Sequence, residues 1–148
     1  SLREKHGLAY YVSTHPEHYS DTGYLVTQAG VPNKDIVAAV KVVMEEYERI
    51  KQELVSPDEL KKAKDHMTGR TLIGLESSSA LASFVGDQAL TYGAVKTSDQ
   101  ILKKIHAVTA ADIHDVARTI FQNNKLNLAI IGPKQKTNSI QNVLKFRK

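Results

Sequence analysis

A chain of 148 residues, 41% hydrophobic and 24% charged, is long enough for one domain with a real core and has the balance of a soluble globular protein. With no cysteine it has no disulfide framework, thiolate zinc site or cysteine nucleophile, which fits a reducing compartment; cytoplasm and periplasm are the locations left open. The net charge of +4 is mild, the lysines share helices with acids, and no Trp and three Phe make poor stacking platforms, so a nucleic-acid surface is excluded, as is a membrane span by the short apolar runs.

The first stretch, SLREKHGLAYYV, turns abruptly from charged to apolar. Gly7 suits the end of a short helical turn. Arg3 then falls on the last turn before it, and Tyr10 early in a strand, LAYYVS. A second strand, GYLVTQAG, has the same β-branched and aromatic character. The link THPEHYSDTG is rich in polar residues and turn formers, which predicts a loop and hence an antiparallel hairpin with a long connection.

The period then changes. Ile36, Val40, Val43, Tyr47, Ile50 and Leu54 recur at helical steps, predicting a long amphipathic helix capped by Asn33. Ser56 and Pro57 start the next helix as N-cap and first helical residue. It runs through Leu60, Ala63 and Met67 towards Leu75, and Ser77, Ser78 and Ser79 break it before ALASFVGDQALTYG resumes. Thr97 with Gln100, and Thr109 with Asp112, form capping boxes that begin two further helices. LNLAII reads as a third strand closed by Gly132 and Pro133, and SIQNVLKF as a last short helix. The order predicts an α+β fold, an antiparallel sheet with helices packed on one face. Three strands are few for so much helix, so strands are expected from preceding residues or a partner.

THPEH invites a metal reading, but His15 and His18 are three apart, and the inverzincin pattern H-x-x-E-H needs them four apart on a helix. Pro16 between them opposes a helix interior, and an exposed loop is the expectation. His66, His106 and His114 stand on separate predicted helices, as surface or half-buried residues rather than ligands. Ser77–Ser79 lack a G-x-S-x-G context, and no phosphate-cradling glycine motif occurs. On composition alone Arg3 is a helix-end charge and Tyr10 a strand aromatic.

LREKHGLAYYV nevertheless resembles a segment of the second, non-zinc half of the insulinase/pitrilysin family of zinc peptidases, which includes the mitochondrial processing peptidases. YSDTGYLVTQAG is similar to that family's next strand, and VSPDELKKAKDHMTGRTLIGLESSSALASFVGDQALTYG to its long broken helix. IHAVTAADIHDVARTIF and LNLAIIGP resemble its closing helices and strand. His6 departs from the arginine common there in bacterial members, and the family domain has a strand and a helix before REKHGLAY. The resemblance therefore implies a single domain over residues 1–148, the latter part of the second half of a clamshell peptidase, lacking its first strand and helix.

In that family a zinc-bearing half supplies H-x-x-E-H, and the second half closes over it. The resemblance implies zinc held by the partner half, in the same chain or a separate subunit, and none held by this chain. It implies a catalytic and substrate-binding role for Tyr10 and a substrate-binding role for Arg3. A phenol can donate to a developing oxyanion, and a guanidinium can hold peptide carbonyls or orient the phenol. The implied activity is a metalloendopeptidase acting on peptides or small unfolded proteins, with this chain inactive by itself. The alternative is a non-catalytic scaffold, a core subunit of the same fold. Self-association is a further expectation, through a sheet edge left open by the absent strand.

Overall fold

The computed structural model of the chain describes residues 9–133 and 137–146. Two strands, β1 (Tyr11–His18) and β2 (Gly23–Gly30), precede six helices: α1 (Ile36–Gln52), α2 (Pro57–Gly74), α3 (Ser78–Tyr92), α4 (Ser98–Ala107), α5 (Ala110–Ile120) and α6 (Thr137–Val143). The α+β class is as expected. The chain divides into two compact units, Ser1–Glu53 with His114–Lys148, and Leu54–Ile113.

In the first unit the hairpin corrects the sequence reading. Thr14 to His18, expected in a loop, belong to β1, which pairs antiparallel with β2 from Tyr11 opposite Gly30 to His18 opposite Gly23. The connection is a tight turn, closed by the Tyr19 N–H donating to the Thr22 carbonyl at 2.9 Å. Proline is tolerated in a strand where its missing N–H is not needed by a neighbour. Pro16 stands opposite Leu25 in this two-stranded ribbon. Thr14 and Thr27 face each other with hydroxyls 2.6 Å apart, and the Tyr47 hydroxyl from α1 joins Thr27. One face of the hairpin is thereby tied to α1.

Helix α1 starts with the periodic series at Ile36, later than an Asn33 cap would place it, and ends before Leu54. Asn33–Asp35 form a 3₁₀ turn, no side chain caps α1, and Leu54 lies past its end, 63% exposed. The helix presents two apolar stripes. Ala39 and Val42, with Val43, pack with Ala9, Val12 and Val31 of the hairpin region. Met44, with Val40, Tyr47 and Ile50, packs with Ala117, Phe121 and Phe146. The Tyr47 ring stacks on Phe121 at 4.3 Å, and Phe146 tilts against Phe121 at 6.0 Å. Asn123 holds Phe146 in place: its side-chain oxygen accepts from the Phe146 N–H at 2.7 Å and its amide donates to the Phe146 carbonyl at 3.3 Å. The expected third strand, LNLAII, forms no ladder among the described residues, and Ile131 is fully exposed. A strand needs a partner for its backbone groups as well as β propensity, and among the described residues β1 and β2 pair only with each other.

In the second unit the local signals hold. Ser56 caps α2 by accepting from the Glu59 N–H at 3.2 Å, with Pro57 as first helical residue. Ser77 caps α3 through the Ala80 N–H at 3.1 Å, so the serine run separates the two helices. Gly93, at φ 64°, closes α3 in the left-handed conformation that other residues resist. Buried Gln88 pins the chain that follows, accepting from the Lys96 N–H at 3.0 Å and donating to its carbonyl at 3.2 Å. Thr97 and Gln100 make the expected capping box. At Thr109 the N–H donates to Asp112 at 2.8 Å, and the Asp112 N–H donates back to the Thr109 hydroxyl at 3.2 Å. Helix α4 meets α2 where Lys64 donates to the His106 carbonyl at 2.7 Å, a cation at a helix C-terminus. Apolar burial is thin here: α2 has no buried residue, and Leu90 on α3 is 88% exposed.

Candidate functional site at the start of the hairpin

Of the two residues singled out in the sequence, Arg3 lies outside the described residues, as does the expected turn at Gly7. Tyr10 stands one residue before β1. Its N–H donates to the Gly30 carbonyl at 2.8 Å, which fixes the backbone, and its side chain is 74% exposed. Among the described residues its hydroxyl has no hydrogen-bond partner. Neighbouring Tyr11 differs. Its ring lies across Gly30, where an added Cβ would sit 2.3 Å from the ring, so Gly30 is required by the tyrosine that covers it. An aromatic laid over a cross-strand glycine shields backbone that would otherwise be bare. Tyr11 thus serves the hairpin, and Tyr10 has a fixed backbone and an exposed phenol.

The metal reading of THPEH fails on geometry. His15 and His18 are three apart on a strand, and successive strand residues alternate between faces, so the two imidazoles leave on opposite sides of the hairpin. Glu17 shares a face with His15, with the imidazole Nε2 3.6 Å from its carboxylate. Two protein groups are too few for a zinc ion, and no cluster of three His, Cys, Asp or Glu exists among the described residues. The described residues of this chain do not fit a resident metal. His66 is exposed, His114 is half-buried with its Nδ1 3.8 Å from Asp115, and the exposed His106 ring sits 3.3 Å from the Thr68 hydroxyl. These are structural or surface roles, as expected.

One grouping escaped the sequence reading. Glu17 pairs with Tyr24 across the hairpin, and the Tyr24 ring meets Tyr19 from the turn at 6.2 Å. The neighbouring Tyr19 phenol is the main cause that raises the Tyr24 pKa above its ordinary value, and the charge of Glu17 pushes the same way. The loop reading of THPEH hid this cluster. The signal that could have found it is the turn-forming run S-D-T-G, placed to join two strands of equal length.

Residues 1–67 match the family model described as the Peptidase M16 inactive domain. The chain is 30% identical over 132 residues to an uncharacterized zinc protease of Streptomyces coelicolor, covering 89% of the chain and 28% of that protein. It is 30% identical to an uncharacterized zinc protease of Bacillus subtilis, covering 89% of the chain and 32% of that protein. It is 26% identical over 129 residues to the mitochondrial-processing peptidase subunit beta of Saccharomyces cerevisiae, covering 84% and 27%. The chain therefore spans about three tenths of the length of the curated relatives it matches. Among solved structures, a chain of Complex III2 from Candida albicans superposes with a TM-score of 0.78 at 16% identity, over 98% of this chain and 36% of that one. A protease from Helicobacter pylori superposes with a TM-score of 0.61 at 21% identity, over 80% and 28%. These two likenesses establish the shared fold.

Proposed function

We propose that the chain belongs to the Peptidase M16 family, whose inactive-domain model matches residues 1–67, and that it is the substrate-binding and transition-state-stabilising part of a zinc-dependent endopeptidase. The substrates are peptides or small unfolded proteins. The zinc site H-x-x-E-H belongs to another domain or chain that closes against this one. In this reading the present residues form the latter part of the second half of the clamshell.

The observation that carries the reading is the phenol of Tyr10, exposed beside a backbone held by the Gly30 carbonyl. When a peptide carbonyl is attacked, charge builds on its oxygen. A preplaced O–H that donates to that oxygen lowers the barrier without donating as strongly to the ground state. The phenol O–H of Tyr10 is such a donor. Arg3, seven residues earlier, cannot lose its charge at working pH, and its planar fork holds carbonyls of the bound peptide or orients the phenol.

The test uses the complete enzyme or the two-chain complex. Tyr10→Phe keeps the ring and removes the hydroxyl, and loss of one oxyanion donor lowers turnover by about 100-fold. KM should change little. Arg3→Lys keeps the charge and loses the fork, so it should raise KM as well. Tyr11→Phe keeps the ring that covers Gly30 and should be nearly silent. Equal, small effects of Tyr10→Phe and Tyr11→Phe would remove the catalytic assignment and favour the scaffold alternative.

A further inference from the structure

Lysines on different helices meet different fates. On α1 and α2, exposed lysines pair with acids one turn along: Lys41 lies 3.7 Å from Glu45, and Lys61 lies 2.9 Å from Asp65. On α4, Lys103 and Lys104 are exposed and make no ion pair among the described residues. The acids nearest to them in sequence do other work. Asp99 lies in the first turn of α4, and Asp112 is engaged by Thr109 at the start of α5.

The two lysines line an open groove of about 470 Å³ together with Lys96, Gln100 and Ala107. The positions of these groups are set within the second unit. Buried Gln88 holds the Lys96 backbone by its N–H at 3.0 Å and its carbonyl at 3.2 Å, and the Lys96 ammonium lies 5.7 Å from the Tyr92 ring centre. The Gln100 side-chain oxygen accepts from the Thr97 N–H at 3.0 Å, and among the described residues its amide nitrogen makes no hydrogen bond. An ammonium group has donors and no acceptor, so three lysines and an amide whose oxygen is engaged present a ligand mainly with donors. A ligand that matches them is an anion rich in acceptors.

The spread of the charges decides which anion. An α-helix rises about 1.5 Å per residue, so Lys103 and Lys104 stand roughly 9–10 Å along α4 from its cap at Thr97, next to Lys96. A single compact anion reaches one end of such a groove, and a chain with carboxylates at intervals reaches both. The lining also holds lysine point charges and no arginine fork, the group that best matches phosphate in two bonds. We propose that this groove on α4 docks an acidic peptide segment carrying two or more carboxylates, held by Lys96 at one end and by Lys103 and Lys104 at the other, with the Gln100 amide between them. The proposal is independent of the Tyr10 reading, since it concerns residues of the second unit and involves no zinc site.

The complete chain is titrated by NMR at low salt with acetyl-Glu-Ala-Ala-Glu-Glu-Ala amide, and with the same peptide carrying glutamine for glutamate, which keeps the shape and removes the charge. The acidic peptide should shift the amide signals of Lys96, Gln100, Lys103 and Ala107, and bind roughly tenfold more tightly than the glutamine peptide. The difference should shrink at about 0.15 M salt, where exposed charges are screened beyond roughly 8 Å. Lys103→Gln and Lys104→Gln should each weaken the acidic peptide about two- to threefold, and the double substitution should bring the two peptides close to equal affinity. Both side chains are exposed, and glutamine is as good a helix former as lysine, so circular dichroism should show the fold kept. Lys41→Gln on α1 is the control for net charge and should leave the affinity unchanged. Equal affinities in the unaltered chain, shifts confined to residues outside the groove, a preference that survives the double substitution, or an equal loss with Lys41→Gln would each overturn the proposal. So would displacement of the acidic peptide by inorganic phosphate at equal charge concentration, which would make the groove a general anion site. Binding to vesicles of equal parts phosphatidylcholine and phosphatidylglycerol, with none to the peptide, would overturn it in favour of a lipid surface.

Discussion

Phe121→Leu is the most informative change to the core of the first unit. Phe121 is 8% exposed, stacks on Tyr47 at 4.3 Å and 17°, and meets Phe146 at 6.0 Å and 48°. Each such ring pair is worth about 0.5–1.5 kcal/mol beyond its buried area. Leucine keeps most of the apolar volume and loses both pairs, so the cost should be about 2 kcal/mol. That is a large share of the roughly 5–15 kcal/mol that holds a domain together. It corresponds to a fall in Tm of about 10 °C for a unit of this size. Urea unfolding followed by far-UV circular dichroism measures it, and hydrogen exchange of the α1 amides locates it. Leu90→Ala is the control, since Leu90 is 88% exposed and its truncation should stay within about 0.5 kcal/mol. A double cycle with Tyr47→Leu should show the two changes to be less than additive, because they remove one shared contact. A Phe121→Leu loss no larger than that of Leu90→Ala, with α1 exchange unchanged, would refute the argument that this ring cluster anchors α1.

Three further outcomes are expected. Gln88→Leu leaves the Lys96 N–H and carbonyl without their partner and should destabilise the second unit by about 1–3 kcal/mol, seen as faster exchange at Lys96. Asp112 has its pKa lowered chiefly by the Thr109 N–H and next by the Thr109 hydroxyl, so its contribution to the start of α5 is present above the ordinary carboxylate value of 3.8. That contribution is lost as pH falls through the lowered value; an NMR titration of the Thr109 amide should follow it, and Asp112→Asn should flatten the response. The isolated chain dialysed against zinc should hold well under one ion per molecule by elemental analysis, because His15 and His18 leave opposite faces of β1; a stoichiometric site lost in His15→Ala would contradict that geometry.

What the residues determined by themselves were the signals that act within one turn of backbone. Ser56, Thr97 and Thr109 cap their helices where the pattern placed them, because a side-chain oxygen three residues from an orphan N–H reaches it whatever the rest of the molecule does. Residues 1–67 likewise carry the family pattern in their order. Asn33 met the same rule of thumb and does not cap, because the Asp35 N–H bonds the Pro32 carbonyl at 2.9 Å in a 3₁₀ turn that delays the helix. Tertiary structure decided everything that depends on a distant partner. THPEH is a strand because β2 pairs with it, and its polar residues are tolerated because one face of the hairpin is left to solvent. LNLAII has the composition of a strand and forms no ladder among the described residues, because β propensity specifies a fit to a neighbour and supplies no neighbour. The difference between Tyr10 and Tyr11 is of the same kind. Adjacent and chemically identical, they separate only when Gly30 arrives from β2, takes the Tyr11 ring across its bare backbone, and leaves the Tyr10 hydroxyl exposed.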